Sequence, residues 1–331
     1  VYVQTNEPQN AVLAFGRAAD GSLAPLGSVA TGGAGDGQPH LPSQGSVVLT
    51  GDGRHLLVTN AASDDVTVFR VGGGGDLEVA GRVAAGPTSR SVAEHAGLVY
   101  VLATGGPAVV GFRLGGDGDG ALGEYPLSPG ADPAQVGFTA DGSTLIVTER
   151  GTDSIVSFPV GADGTLGPPQ VVPSSGPTPY GFAITAAGTL VVTKAFRAER
   201  GAAAASSYSV DGGAVAPVTK SVGNGRSEIC WAVVSDDGRF AFTTNYADGA
   251  VSRYALGPDH SLVLDDATAG LTVDGRPGLR DLALSGDGRH LYALDADAGS
   301  VYGWSVGPDG SLSPVGSWGG LPLTAAGLAA S

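Results

Sequence analysis

The stretch SQGSVVLTGDGRHLLVTNAASDDVTVFRV, Ser43 to Val71, returns with most of its phrasing intact as GLRDLALSGDGRHLYALDADAGSVYGWSV, Gly278 to Val306. Each copy reads as an alternating apolar run, an Asp-Gly turn, a second run, a short polar loop and a third run ending in an aromatic residue and a valine. Period-two alternation bounded by Gly and Asp signals half-buried antiparallel strands, and Asp-Gly between runs favours a tight hairpin. Similar units align on a turn glycine at Gly53, Gly97, Gly142, Gly188, Gly238 and Gly288, with separations of 44, 45, 46, 50 and 50. A Gly-rich turn such as GPDG or GADG then leads into a weaker fourth strand. A repeat of about 40–50 residues marks a stacked or radial array. Four strands per unit make that array a β-propeller, which leaves few open sheet edges.

The two ends supply a seventh unit. VYVQTN at Val1 aligns with the second-strand phrase HLLVTN, and NAVLAFGRAADGSLAPLGS continues as third and fourth strands. The missing first strand is TAAGLAAS at the other end, which matches the rhythm of RDLALS. The expected fold is therefore all-β: a single domain over residues 1–331, with seven antiparallel four-stranded blades. The ring closes by a blade shared between about 1–40 and 323–331.

Composition agrees with many short strands. The 331 residues include 56 Gly and 21 Pro, with 42% hydrophobic and 15% charged residues, which is not the profile of a disordered chain. Apolar runs break well before the ~18 residues that a membrane-spanning helix needs. Seventeen Lys plus Arg against 32 Asp plus Glu give a net charge of −15, so nucleic acid and anionic membrane surfaces are not expected partners. One cysteine, Cys230, excludes an internal disulfide framework and a Cys-rich zinc site. No paired His or Cys spacing offers a transition-metal site, and no Walker lysine follows the Gly-rich stretches. The chain starts at Val1 and has no Met. Export after removal of a leader is one expectation and a cytoplasmic protein the other; a monomer is expected in either case.

In a propeller the starts of the inner strands and the loops after the second strands share one face, and the Asp-Gly hairpins lie on the other. Counting back from the turn glycines places Gly45, Arg90, Ala134, Tyr180, Cys230 and Arg280 at the channel rim, followed by Ser46, Ser91, Gln135, Gly181, Trp231 and Asp281. Gln44 stands just ahead of the first of these. The ends of the second strands give Asn6, Asn60, Ala103, Glu149, Lys194, Asn245 and Asp295. His55, His95, His260 and His290 fall in hairpins of the far face or outer edge, which leaves His40, in the insertion GDGQPHLPSQGS, as the histidine near the channel. A second long loop, TKAFRAERGAAAASS, brings Lys194, Arg197, Glu199 and Arg200 to the same face. Cations gathered here in an acidic chain suit an anionic ligand such as a carboxylate; the competing reading is a solvated loop whose charges pair locally.

Other motifs weigh less. GWSVG, Gly303 to Gly307, fits G-x-S-x-G, but Ser305 falls in a β-strand rather than a strand-to-helix elbow. GGDGDGALGE from Gly115 has the first acidic pair of a calcium loop without the remaining ligand positions. Cys230 reads as a buried small hydrophobe before it reads as a nucleophile. Glu228 is the carboxylate nearest the inner-strand start of blade five and suits proton transfer.

The repeated S-x-DGR-x-L-x-V-x-N phrase resembles the seven-bladed lactonase family, which groups bacterial 6-phosphogluconolactonase with fungal carboxymuconate-lactonizing enzyme. VYVQTNEPQNAVLAF, HLPSQGS, EICWAVVSDDGRFAFTTN and LPLTAAGLAAS further resemble a branch of actinobacterial propeller proteins that are often exported. The resemblance implies a cofactor-free enzyme working with His, Arg and Glu on the channel face. In the family phrase P-x-H-x-x-x-x-P-D-G the His slot is filled here by Gly45, Arg90, Ala134, Tyr180, Cys230 and Arg280. Two readings follow. In one, an enzyme opens or forms a lactone, or carries out a related isomerisation, on a small carboxylated or polyhydroxylated substrate. Arg90 and Arg280 would hold charge, His40 or Glu228 would move the proton, and Gln44, Gln135, Glu149, Tyr180, Lys194, Arg197, Trp231, Asn245, Asp281, Asn6 and Asn60 would line the site. In the other, the propeller binds a ligand or a protein without turnover.

Overall fold

The computed structural model describes residues 1–39, 41–115 and 120–331. Their strands form seven four-stranded sheets, each a meander. Blade one runs through Val47–Leu49, His55–Asn60, Asp65–Val71 and Leu77–Ala84. Blades two to six repeat the order from inner strands Ser89–His95, Pro133–Phe138, Pro179–Ile184, Ile229–Val234 and Leu279–Leu284. In blade seven Ala326–Ala329 pairs antiparallel with Tyr2–Gln4, and Ala11–Arg17 and Leu23–Ala30 complete the sheet. The two ends thus close the ring as the repeat requires. The helical element among the described residues is one short 3-10 turn at Phe196–Ala198, and no helix is long and apolar enough to cross a membrane.

The turn glycines explain the repeat. Gly53, Gly97, Gly142, Gly188, Gly238 and Gly288 all have φ between 66° and 82°, a conformation that any Cβ strains. At four of these hairpins a preceding hydroxyl, from Thr50, Thr139, Ser235 or Ser285, donates to the turn aspartate at 2.6–2.7 Å. Alternation then buries both flanks of each blade. Leu56, Val58 and Phe69 of blade one pack on Tyr2 and Val12 of blade seven, whereas Leu57 and Val68 pack on Val92, Val101 and Phe112 of blade two. Fourth strands keep one flank in solvent, which accounts for their weaker pattern.

One irregularity positions the site. The inner strands of blades two to six each change register at their entrance, between Ser89 and Ser91, Pro133 and Gln135, Pro179 and Phe182, Ile229 and Ala232, and Leu279 and Leu282. A bulge bends a strand and re-aims its side chains. Here it does so at Arg90, Tyr180, Cys230, Trp231, Arg280 and Asp281, where the channel opens.

Candidate active site at the channel mouth

Inner strands of a propeller turn a row of unpaired backbone groups toward the axis, and each buried one needs a partner. Here side chains supply them. Gln44 reaches across from blade one to blade five, where its Nε2 donates to Ala232 O at 2.8 Å and its Oε1 accepts from Ala232 N at 3.1 Å. One amide thereby mimics one residue of a neighbouring strand. Gln135 does the same toward blade four, accepting from Phe182 N at 2.6 Å and donating to Phe182 O at 3.1 Å. Ser43 Oγ donates to Ala134 O at 2.5 Å, and Trp231 Nε1 donates to Ser43 O at 3.2 Å. Ser91 Oγ donates to Gln44 O at 2.6 Å. Ser43, Gln44 and Leu41 are buried, so this segment crosses and closes the channel.

Asp281 lies in the same interior. It accepts from Gly45 N at 3.4 Å and Leu282 N at 3.0 Å, and burial pushes its carboxyl up to about 7 against the backbone donors that favour the anion. Gln44, Gln135, Trp231 and Asp281 therefore form the floor and wall of the closed channel.

The mouth carries the charges. Arg280, 2% exposed, donates through Nη1 to Ala325 O at 3.2 Å and through Nη2 to Asp297 at 3.2 Å. Arg90 pairs with Asp36 at 3.5 Å, and Asn6 Nδ2 donates to the same carboxylate at 2.8 Å, so Asn6 joins the site through Asp36. A third arginine completes the rim. Arg150 pairs with Asp132 at 2.6 Å, and its guanidinium carbon lies 5.0 Å from the centroid of the Tyr180 ring. Tyr180 in turn meets Trp231 edge-on at 5.8 Å. Burial raises the Tyr180 hydroxyl and the Cys230 thiol far above their ordinary values, and Cys230 Sγ donates to Glu228 O at 3.2 Å. An un-ionised thiol is a poor nucleophile, as its reading as a small hydrophobe implies. Glu228, half-buried with φ 54°, has its carboxyl raised by burial and then by Asp248. Arg90 and Arg280 each keep a buried Nε–H without a hydrogen-bond partner among the described residues.

Several expected residues lie elsewhere. Asn60 donates to Asp65 at 2.6 Å and Thr67 at 2.8 Å and accepts from Asn10 and Thr31 of blade seven, and Asn245 donates to Ser252 at 2.9 Å, so both clamp blade backbone and loops rather than face the mouth. Glu149 accepts from Ser128 N and Thr152 Oγ1 in blade three. Lys194 is buried within blade four, and Arg197 is exposed and paired with Asp153 at 2.7 Å. The reason is strand parity. Successive strand side chains alternate sides, and the residues one step beyond Glu149 and Asn245 are Arg150 and Tyr246, which reach the rim. Reading that column one residue later finds them. The local charge pairing anticipated for the loop at Arg197 holds for all three rim arginines as well. His40 lies outside the described residues, as does part of the GGDGDGALGE run. Ser305 sits in the strand Ser300–Val306, away from any helix.

A ring of seven four-stranded blades, its channel crossed by the segment at Ser43 and Gln44 and one mouth carrying Arg90, Arg150 and Arg280, defines a β-propeller with a candidate site on one face. The model of the family described as Lactonase, 7-bladed beta-propeller matches residues 121–199, a segment that contains Arg150 and Tyr180. No curated protein sequence matches the chain. Solved structures share the fold at low identity. A candidate 6-phosphogluconolactonase from Bacteroides fragilis is 16% identical with TM-score 0.75, over 97% of this chain and 94% of that one. The periplasmic gluconolactonase PpgL of Pseudomonas aeruginosa is 18% identical with TM-score 0.68, over 96% and 95%. Hydrazine synthase of Kuenenia stuttgartiensis is 17% identical with TM-score 0.63, over 80% and 77%. The breadth of that set shows that the fold does not choose the reaction.

Proposed function

We propose that the mouth binds a small carboxylated or polyhydroxylated lactone and hydrolyses it, or runs the reverse cyclisation, without a cofactor. The observation that carries this reading is the meeting of Arg90 and Arg280 at one channel mouth, oriented by Asp36 and Asp297, a geometry suited to a carboxylate or a developing oxyanion. Their aspartate partners fix both guanidinium planes before substrate arrives. Such preorganised donors stabilise the oxyanion that develops when water adds to a lactone carbonyl. Glu228 takes the proton from that water and returns it to the ring oxygen as the C–O bond breaks. The lactonase-family match over residues 121–199 supports the reaction class.

The test is a pH-stat assay over γ- and δ-lactones, including sugar- and muconate-derived ones. The reading expects turnover that rises with pH through a value above the usual carboxylate range, because Glu228 acts as base only when ionised and its carboxyl is raised. Glu228→Gln is expected to remove that limb. Folded protein silent across the panel would favour a binding propeller. The pairing of Arg90, Arg150 and Arg280 with Asp36, Asp132 and Asp297 suits that second reading too.

A further inference from the structure

The chain contains two lysines, Lys194 and Lys220. Lys220 is exposed on a fourth strand, whereas Lys194 is fully buried. The Lys194 Nζ donates to Ser206 Oγ, and to Ser221 Oγ at 2.8 Å. No carboxylate lies within ion-pairing distance among the described residues, although the elements packed around it carry Arg197, Glu199, Arg200 and Asp153. Burial alone, with no opposing charge, lowers its ammonium to about 7.

What covers this amine is unusual. Phe196, Arg197 and Ala198 have φ of 47°, 51° and 62°, three consecutive non-glycine residues in the left-handed region. L-residues pay for that conformation one residue at a time and seldom adopt it in succession. The turn is held by Arg197 to Asp153 at 2.7 Å and by Arg197 N donating to Thr178 Oγ1 at 3.1 Å. At Gly176 the cover and the amine converge: a Cβ there would lie 2.9 Å from Ser221 Oγ and 3.1 Å from both Lys194 Cδ and Phe196 Cζ. Phe196 Cζ and Lys194 Cδ thus both lie against Gly176, on the same side as Ser221 Oγ, where an added Cβ would press on all three.

We propose that Lys194 is a gated amine site, separate from the mouth, with the turn Phe196–Ala198 as its lid and a small aldehyde or ketone as its ligand. When the turn relaxes to right-handed backbone, the neutral amine adds to the carbonyl carbon and a Ser206 or Ser221 hydroxyl relays the proton to the carbonyl oxygen. Water then leaves the carbinolamine and a C=N bond forms, with no net oxidation. A desolvated lysine is the usual amine for such condensations.

The experiment treats folded protein with acetaldehyde and cyanoborohydride at about pH 7, where an ordinary lysine is almost wholly protonated, and maps N-ethylation by peptide mass. The site predicts ethylation of Lys194 at least about tenfold faster than Lys220, with the advantage shrinking toward about pH 10 as the ordinary amine deprotonates. Arg197→Ala and Asp153→Asn, which release the turn, should each raise the Lys194 rate several-fold and leave Lys220 unchanged. Ethylation of Lys220 first, or of Lys194 only after unfolding in urea, overturns the site on wild-type protein alone. An unchanged Lys194 rate in both folded variants overturns the lid.

Discussion

Gln44→Ala is expected to lower folding stability by about 3–4 kcal/mol, far more than its size suggests. The substitution orphans Ala232 N and O in a buried strand, at about 1–3 kcal/mol per group. Relaxation or a water molecule recovers part of that sum. The hydrogen bonds lost bridge residues 188 positions apart and span the ring from blade one to blade five. Urea unfolding should show a lower midpoint with an unchanged slope. A shift below about 0.5 kcal/mol, the range of ordinary surface substitutions, would show that the plug carries no structural load.

The second large effect is a pH dependence at Asp281. Its carboxyl is raised from an ordinary 3.8 to about 7, so the folded state holds a proton that the unfolded chain releases between those values. Stability from this group is full below the unfolded pKa and is lost as pH rises through about 7. A shift of that size is linked to roughly 4 kcal/mol at most. Asp281→Asn keeps an acceptor for Gly45 N and carries no charge, so the variant should be more stable than wild type by about 1–3 kcal/mol at pH 8 and lose that advantage by about pH 5. Lys194 has the opposite sign. Its ammonium is lowered from 10.5 to about 7, so stability rises with pH between those values, and the two groups together place a minimum near neutrality. If Asp281→Asn proves less stable than wild type at pH 8 and matches it at pH 5, the carboxylate is an anion held by its backbone donors.

Much of the fold was legible in the sequence because each blade repeats one local device. An Asp-Gly turn needs a left-handed glycine, and the flanking runs need period-two alternation, so both leave a mark at fixed spacing. Ring closure was legible for the same reason: VYVQTN and TAAGLAAS are recognisable fragments of one unit. The placement of the candidate site's side chains was legible only in part. Arg90, Tyr180 and Arg280 were found from the inner-strand column, but strand parity placed Asn60, Glu149, Lys194 and Asn245 within the blades and brought Arg150 and Tyr246 to the rim. Nor does local pattern announce that Gln44 spans a channel, since its partner Ala232 is set by the closed ring. The acidic partners Asp36, Asp132 and Asp297 come from loops, where no periodicity reports position.

The measurement that tests the central claim most directly is the hydrolysis rate of Arg280→Met beside wild type on the lactone that turns over fastest. If the preorganised Arg280 donor stabilises the developing oxyanion, kcat should fall by about 100- to 1000-fold, as when one such donor is removed from other sites. Equal rates for the two folded proteins would place the chemistry away from this mouth and contradict the account.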